Sequence, residues 1–325
     1  MRSFKDFQVF INTDLIPMLN ALEQERLFIK KMYLVPRFIA GIGAMLFIIA
    51  IHFFREQWWL LAMAALTSPF LPHYFSQETE NKLEEFRSRY KELIIKPILD
   101  FISPDLKYNP EGRILLKHFV SSSLFTRYPE RYYGEDLIHG KIENTYFAFS
   151  EVHAEYKTEY YDTHLKKLTL WHTIFKGLFF IANFNKSFEG KTIILPDNTE
   201  RLLGPLISDT IQTSSKRQKQ LIKLENPDFE KEFVVYGDDQ LESRYILGPE
   251  IVERILEFRR EARAPVYFSF AENSIFVGLS KKKNYFEPGY HHSLINIDSI
   301  NELYSLIKLI IDIVDDFNLN ARIWK

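Results

Sequence analysis

Cysteine is absent from the 325 residues of this chain. Disulfides, cysteine-ligated zinc, cysteine-ligated iron–sulfur clusters and cysteine nucleophiles are therefore excluded. The absence fits a reducing compartment without proving one. A strong excess of either charge is also missing, because 41 Lys and Arg residues oppose 43 Asp and Glu residues and give a net charge of −2. We expect no broad electrostatic attraction to nucleic acid, and hence no nucleic-acid partner.

The short motifs that mark catalysis and cofactor binding are missing as well. The sequence has no HExxH, GxSxG, GxGxxG or GxxxxGK[ST] pattern. Internal repeats and low-complexity tracts are also absent. We therefore predict no cofactor, assign no catalytic residue, and favour a protein that is not an enzyme.

Two uncharged apolar runs lie near the N-terminus. Phe38–Phe54 and Trp58–Phe75 contain no Asp, Glu, Lys or Arg, and only Arg55–Gln57 separates them. A bilayer core of about 30 Å needs about 20 helical residues, a length that the first run reaches when Leu34–Pro36 are added. The pattern predicts a transmembrane helical hairpin. The alternative is a pair of buried core helices, but a water-soluble helix normally keeps a polar face and the first run has none.

The distribution of positive charge predicts the orientation of this hairpin. Short loops rich in Lys and Arg stay in the cytoplasm. The connecting turn carries only Arg55 beside Glu56, whereas the two outer flanks carry several positive residues: Arg26, Lys30, Lys31 and Arg37 before the first run, and Lys82, Arg87, Arg89 and Lys91 after the second. Both termini and the soluble domain are therefore expected to be cytoplasmic.

Along the chain, the composition predicts an α+β protein in four segments. These are a cytoplasmic amphipathic helix over 1–36, the transmembrane hairpin over 37–76, a helix and linker over 77–105, and an α+β domain over 106–325 with a mainly antiparallel sheet covered by helices. The helices that flank the hairpin each carry an apolar stripe. Two arrangements remain open for these stripes: pairing as an antiparallel stalk, or packing on the soluble domain.

Local signals predict several elements of the soluble domain. Glu143-Asn144 and Glu272-Asn273 are plausible hairpin turns, and Arg244–Leu247 is predicted as a strand. Ser299-x-x-Glu302 is a capping box that would open the last helix. In this helix, Leu306 and Ile310 belong to an apolar stripe that should cover the sheet.

Glu151, His153 and Glu155 alternate along a predicted strand and therefore share one of its faces. A histidine between two carboxylates can bind a metal or act as a base. The simpler interpretation is the wet face of an amphipathic strand. Asp238 and Asp239 form a second candidate, since carboxylates at a strand end can hold a divalent cation. They equally suit an ordinary turn.

Two basic runs, Lys281–Lys283 and residues 216–219, could contact anionic lipid headgroups. More often such runs are solvated loops.

Four blocks of sequence resemble a known family. Leu19–Arg26 fits LxxLExxR and precedes the two apolar runs, and three longer blocks follow in order: Tyr132–Lys157, Phe175–Asp197 and Phe229–Leu256. The arrangement resembles the bacterial membrane-protein family known as domain of unknown function 3137. The resemblance implies an inner-membrane protein with a cytoplasmic α+β domain and carries over no site residue. It also suggests a LemA-type membrane protein as a partner.

From these observations we expect a membrane-anchored, non-catalytic interaction or scaffold module whose partners are the lipid bilayer and another membrane protein. One alternative is a membrane-tethered enzyme or metal-binding domain that uses Glu151, His153 and Glu155 or the pair Asp238 and Asp239. A further alternative is a domain that senses lipid headgroups through its basic loops.

Overall fold

The computed structural model describes residues 3–53, 70–142, 145–161, 167–183, 189–197, 220–281, 283–289 and 292–323. Some or all side chains within 36–53, 70–76, 161 and 315–323 are also outside this description. The elements in chain order are α1 (Phe4–Phe10), a π-helical turn (Ile11–Leu15), α2 (Ile16–Phe53), α3 (Phe70–Tyr90), a π-helical turn (Lys91–Ile95), α4 (Lys96–Ile102), β1 (Lys107–Asn109), α5 (Leu116–Ser121), β2 (Arg131–Ile142), β3 (Thr145–Tyr161), β4 (Lys167–Asn183), β5 (Thr192–Pro196), β6 (Gln220–Ile222), α6 (Pro227–Glu232), β7 (Phe233–Gly237), α7 (Gln240–Ile246), α8 (Pro249–Ala262), β8 (Val266–Ala271), β9 (Ser274–Ser280) and α9 (Ile297–Ile323).

The chain divides into two compact units. The helical unit comprises Met1–Phe101 and Phe286–Ile300, and the sheet unit comprises Ile102–Tyr285 and Asn301–Lys325.

In the helical unit, α2 and α3 pack against each other in antiparallel directions. Glu25 pairs with Arg89 at 2.8 Å, and Lys82 lies over the ring of Phe28. Several apolar side chains here are buried: Leu19, Leu22 and Ile29 of α2, Phe86 of α3, and Leu15 and Ile94 of the two π-helical turns. The structure therefore shows the antiparallel pairing that the sequence left open.

Segment 286–300 contacts these helices through Glu23, which is buried, and through Glu287, which is partly buried. The Glu23 carboxylate accepts a hydrogen bond from the Leu294 backbone N–H at 2.9 Å. Glu287 pairs with Lys91 at 3.2 Å and with Arg87 at 3.1 Å. Buried charges are tolerated when they are paired in this way.

Within the described part of the chain, no helix is both long and apolar enough to cross a membrane. The predicted turn Arg55–Gln57 and most of the second apolar run, up to residue 69, lie outside the described residues.

In the sheet unit, the described strands form one antiparallel sheet in the order β1-β2-β3-β4-β9-β8-β5-β7-β6. Helices accompany this sheet, which confirms the predicted α+β class. The hairpin predicted at Glu143-Asn144 is present, because Ile142 pairs with Thr145, although the two turn residues lie outside the described chain. The hairpin at Glu272-Asn273 is present as well, and both turn residues have positive φ angles.

Helices cover the two faces of the sheet at different positions along β3. Directly paired strand residues share a face, and one buried row crosses five strands: Phe149, Phe180, Val277, Phe268 and Ile194. On this first face, α8 contributes Phe258, whose ring lies 5.8 Å from that of Phe268.

On the second face, Phe119 of α5 packs against Phe175 and Phe179, beside Val152 and Ala154. The buried region of the first face and the buried region of the second face therefore lie at different positions along β3. Along β3, the first face is buried up to Phe149 and becomes polar from Glu151 onwards.

Two local predictions were wrong. Arg244–Leu247 is not a strand, since most of it belongs to α7, which begins after Asp239 and is capped by its side chain. The last helix begins at Ile297, before the predicted capping box. Asn296 provides the cap instead and accepts hydrogen bonds from the Asp298 and Ser299 N–H groups. Leu306 and Ile310 are buried as predicted.

Candidate functional site

A cavity of about 350 Å³ opens on the first face of the sheet, where the polar part of β3 begins. Two cross-strand rows and the loop after β9 line it. Reading from β2 to β4, the rows are Tyr133, His153, Lys176 and then Glu135, Glu151, Leu178. The cavity therefore joins carboxylates, lysines and aromatic rings that are far apart in sequence.

A bulge in β2 shapes the acidic side of the cavity. The register of β2 on β3 shifts between Glu135 and Ile138, which places Glu135 opposite Glu151. Asp136 lies in the bulge with a φ of 60° and is fully buried, and its carboxylate accepts a hydrogen bond from the Tyr108 hydroxyl. Carboxylate oxygens of Glu135, Asp136 and Glu151 all lie within 4.8 Å of one another.

The loop after β9 is tied to this acidic side. The Tyr285 N–H donates to Glu151 Oε1 at 2.7 Å, and the Tyr285 hydroxyl donates to Glu302 Oε1 at 3.1 Å. Lys283 Nζ donates to the other oxygen of Glu302 at 2.5 Å. Burial and the Glu302 carboxylate raise the pKa of Tyr285, so its hydroxyl stays protonated and remains a donor.

Lys176 and Lys281 form the basic side of the cavity. Neither ammonium pairs with a carboxylate among the residues that the structure describes. Lys281 Nζ lies 5.0 Å from the centre of the Tyr285 ring, a favourable cation–π position. Burial lowers the pKa of Lys281, an effect that Glu302 opposes and Lys283 reinforces. This basic side therefore holds charge that no described carboxylate neutralises by direct contact.

His153 is the middle residue of the first row, between Tyr133 and Lys176. Its Nε2 is 3.3 Å from Thr173 Oγ1 and 3.5 Å from Glu155 Oε1. Burial lowers the pKa of His153, Glu155 opposes the shift, and Lys176 adds to it. A hydroxyl–histidine–carboxylate triad uses opposite ring nitrogens for its two partners. Here one nitrogen meets both, so the arrangement does not form such a relay.

The structure separates the predicted site residues into two places. Glu151 and His153 line the cavity, and Glu155 contacts His153 at its edge. Asp238 and Asp239 lie elsewhere and make local contacts: Asp238 Oδ2 accepts from the Lys191 N–H at 3.0 Å, and Asp239 Oδ1 accepts from the Glu242 N–H at 2.8 Å. The two candidate groups therefore do not form one site.

Sequence reasoning missed several of the lining residues, among them Glu135, Lys176 and Tyr285. A signal existed for the first of them. The predicted turn at Glu143-Asn144 sets a hairpin register that brings the region of Glu135 and Asp136 opposite Glu151. Nothing local marks Lys176 or Tyr285. Lys176 reaches the cavity through the pairing of β4 with β3, and Tyr285 lies in the loop after β9, which pairs with β4.

This geometry defines a ligand-sized cavity on a helix-covered antiparallel sheet. Residues 173–319 match the family described as "Protein of unknown function (DUF3137)". The matched residues run from β4 into α9, and the resemblance predicted from the sequence is confirmed over them.

None of the curated proteins matches the chain. Among solved structures, the chain is similar to the mycobacterial trehalose monomycolate transport factor A, TtfA, with 10% identity over 69% of this chain and 93% of that chain. The TM-score of 0.35 does not establish a shared fold.

Proposed function

We infer that the protein is a membrane-anchored recognition module without a catalytic role, and that the cavity is its recognition surface. The observation that carries this proposal is the convergence of charged and aromatic side chains on one cavity of about 350 Å³. Binding sites combine a concave shape with a few placed polar groups. The histidine contacts support recognition rather than acyl transfer, because Thr173 and Glu155 meet the same nitrogen.

The anchor in this proposal is the two-span helical hairpin over residues 37–76, in the bacterial inner membrane, with both termini cytoplasmic. Its support is the sequence, namely two uncharged runs of spanning length and the charge asymmetry across them. The partner would be another protein of the same membrane, of the LemA type that the family resemblance suggests.

Site-specific photo-cross-linking tests the recognition surface in the full chain. A photoreactive phenylalanine analogue replaces Tyr133, which lines the cavity and is 53% exposed. The matched control replaces Tyr160, which is 51% exposed on β3 and does not line it. We expect a discrete adduct in membranes from position 133 that is lost when Lys281→Gln is added. No adduct at position 133, or the same adducts at both positions, would contradict the proposal.

A metal-binding role is the second candidate. It is favoured by one observation, the approach of the Glu135, Asp136 and Glu151 oxygens to within 4.8 Å of one another. Hard divalent cations such as Mg²⁺ and Ca²⁺ take carboxylate oxygens as ligands. Addition of Mg²⁺, Mn²⁺ or Ca²⁺ should raise the melting temperature of the wild type and of Glu159→Gln, but not of Glu151→Gln. An equal response of both variants, or no response of the wild type, removes this candidate.

A further inference from the structure

The cavity carries both signs of charge in separate rows. Glu135 and Glu151 lie opposite each other on β2 and β3, whereas Lys176 lies in the neighbouring row on β4. The direct partner of Glu151 on β4 is Leu178, so Lys176 is its diagonal neighbour. Residues that are diagonal neighbours on adjacent strands lie about 7 Å apart. The two signs are therefore close enough to contact different ends of one small molecule.

Among the described residues, neither Lys176 nor Lys281 forms an ion pair, although two carboxylates line the same cavity. Lys283 provides the contrast, because its ammonium is already held by Glu302 at 2.5 Å. Two lysines without a described carboxylate partner suit an oxyanion. Lysine is a common ligand for phosphate and supplies a mobile point charge.

Charge complementarity narrows the class of ligand further. A simple anion would meet the lysines but also approach Glu135 and Glu151, and like charges brought together lower affinity. A simple cation would face the same problem at Lys176 and Lys281. A zwitterion avoids both costs when its ammonium points to the carboxylates and its oxyanion points to the lysines.

We propose that the cavity binds a phosphoethanolamine unit, with the phosphate at Lys176 and Lys281 and the ammonium at Glu135 and Glu151. This inference rests on the proposed function, since it names the ligand of the same recognition surface. The unit occurs as a free metabolite-sized molecule and as the headgroup of phosphatidylethanolamine, and the recognising chemistry is the same for both. Tyr133, half exposed at the cavity, would flank the bound group.

Calorimetric titration of the full chain in an uncharged detergent tests this ligand. The probes are phosphoethanolamine, inorganic phosphate, ethanolamine and a soluble short-chain phosphatidylethanolamine. We expect phosphoethanolamine to bind at least about tenfold more tightly than phosphate or ethanolamine, because each half alone forfeits charge-assisted contacts. Binding of the short-chain lipid as tightly as the free molecule, or more tightly, assigns the headgroup as the source. Tighter binding of the free molecule assigns a soluble ligand.

Three variants locate the binding site. Lys176→Gln and Lys281→Gln should each weaken phosphoethanolamine binding about tenfold or more, and Lys167→Gln, on the same strand but paired with Glu159 outside the cavity, should leave it unchanged. Equal affinity for phosphate and phosphoethanolamine, equal affinity of all three variants, or no binding by the wild type would overturn the inference. If phosphoethanolamine does not bind as expected, the cross-linking experiment still tests the recognition surface separately. Loss of the adduct at position 133 in Lys281→Gln would then support that surface even though this ligand is wrong.

Discussion

At the scale of single residues, Glu23 shows how a buried charge holds a distant segment. Its carboxylate accepts hydrogen bonds from Arg26 Nε at 2.9 Å, from Arg26 Nη2 at 2.7 Å and from the Leu294 N–H at 2.9 Å. The hydrogen bond from Arg26 lowers the pKa of Glu23, and this effect exceeds the opposing effect of burial. The ionised form of Glu23 therefore stabilises the folded helical unit.

Replacing this carboxylate should produce a pH-dependent loss of stability. A depressed folded pKa gives stability that is present above the ordinary value of 4.5 and is lost as the pH falls through the folded value. At pH 7 we expect Glu23→Gln to lower the free energy of unfolding by about 3 kcal/mol, because the buried Arg26 guanidinium loses its ion pair with the Glu23 carboxylate. Below pH 4.5 the difference from the wild type should shrink. Chemical denaturation at several pH values measures both effects.

Glu25→Gln is the control for this prediction. Glu25 pairs with Arg89 at a more exposed position, where ion pairs contribute roughly 0–1 kcal/mol. Two results would contradict the prediction: Glu23→Gln lowers the free energy of unfolding no more than Glu25→Gln does, or lowers it by the same amount at every pH. Either result would show that the buried Glu23 contacts do not stabilise the fold as described.

The candidate site was partly predictable at this scale. The period of two placed Glu151 and His153 on one face, and both line the cavity. Their setting was not predictable from local pattern, because the bulge at Asp136 shifts the register by one residue and selects Glu135 as the residue opposite Glu151. Bulges depend on the packing around both strands rather than on a short motif.

At the scale of elements, α9 tests whether the spacing of apolar residues in the sequence predicts which side chains are buried. Its stripe is buried in the sheet unit: Leu303, Leu306, Ile307, Ile310, Ile311 and Val314. The predicted periodicity was therefore right even though the helix begins at Ile297 and not at Ser299. A long stripe averages over many positions, whereas a start signal depends on one side chain, and Asn296 took that role here.

Substitutions on the buried and exposed sides of this helix should differ in their effect on stability. We expect Leu306→Ala to lower the free energy of unfolding by about 2–5 kcal/mol, because it leaves a cavity in a packed interior. Lys308→Ala, which removes a partly exposed side chain two residues on, should change it by about 0.5 kcal/mol or less. Thermal unfolding of the two variants side by side checks this, and equal shifts would mean that the stripe does not face the core.

The strand predicted at Arg244–Leu247 shows a case in which the local sequence pattern does not determine the type of secondary structure. A short apolar run between polar residues fits a strand and a helical turn equally well. The cap by Asp239 favours the helix, and Asp239 is available as a cap because β7 ends two residues earlier, at Gly237. The end of a neighbouring element therefore determined the type of this one.

At the scale of the whole molecule, the chain crosses between the two units at residues 101–102, 285–286 and 300–301. Tyr285, which donates to Glu151 in the cavity, is therefore covalently followed by Phe286 and by the segment that Glu23 and Glu287 fasten to the helices. In our proposal those helices lead into the membrane hairpin. Residues 286–300 would then connect the chain that lines the ligand cavity to the helices that lead into the anchor.

The central claim is that a membrane hairpin holds the recognition unit on the cytoplasmic side, and a pair of reporter fusions tests it most directly. Alkaline phosphatase is active only outside the cytoplasm, and green fluorescent protein exported unfolded does not fluoresce. Fused after Lys325, the phosphatase should be inactive and the fluorescent protein should glow. Inserted at Arg55–Gln57, the phosphatase should be active. The opposite pattern, or activity at neither position, would contradict the account.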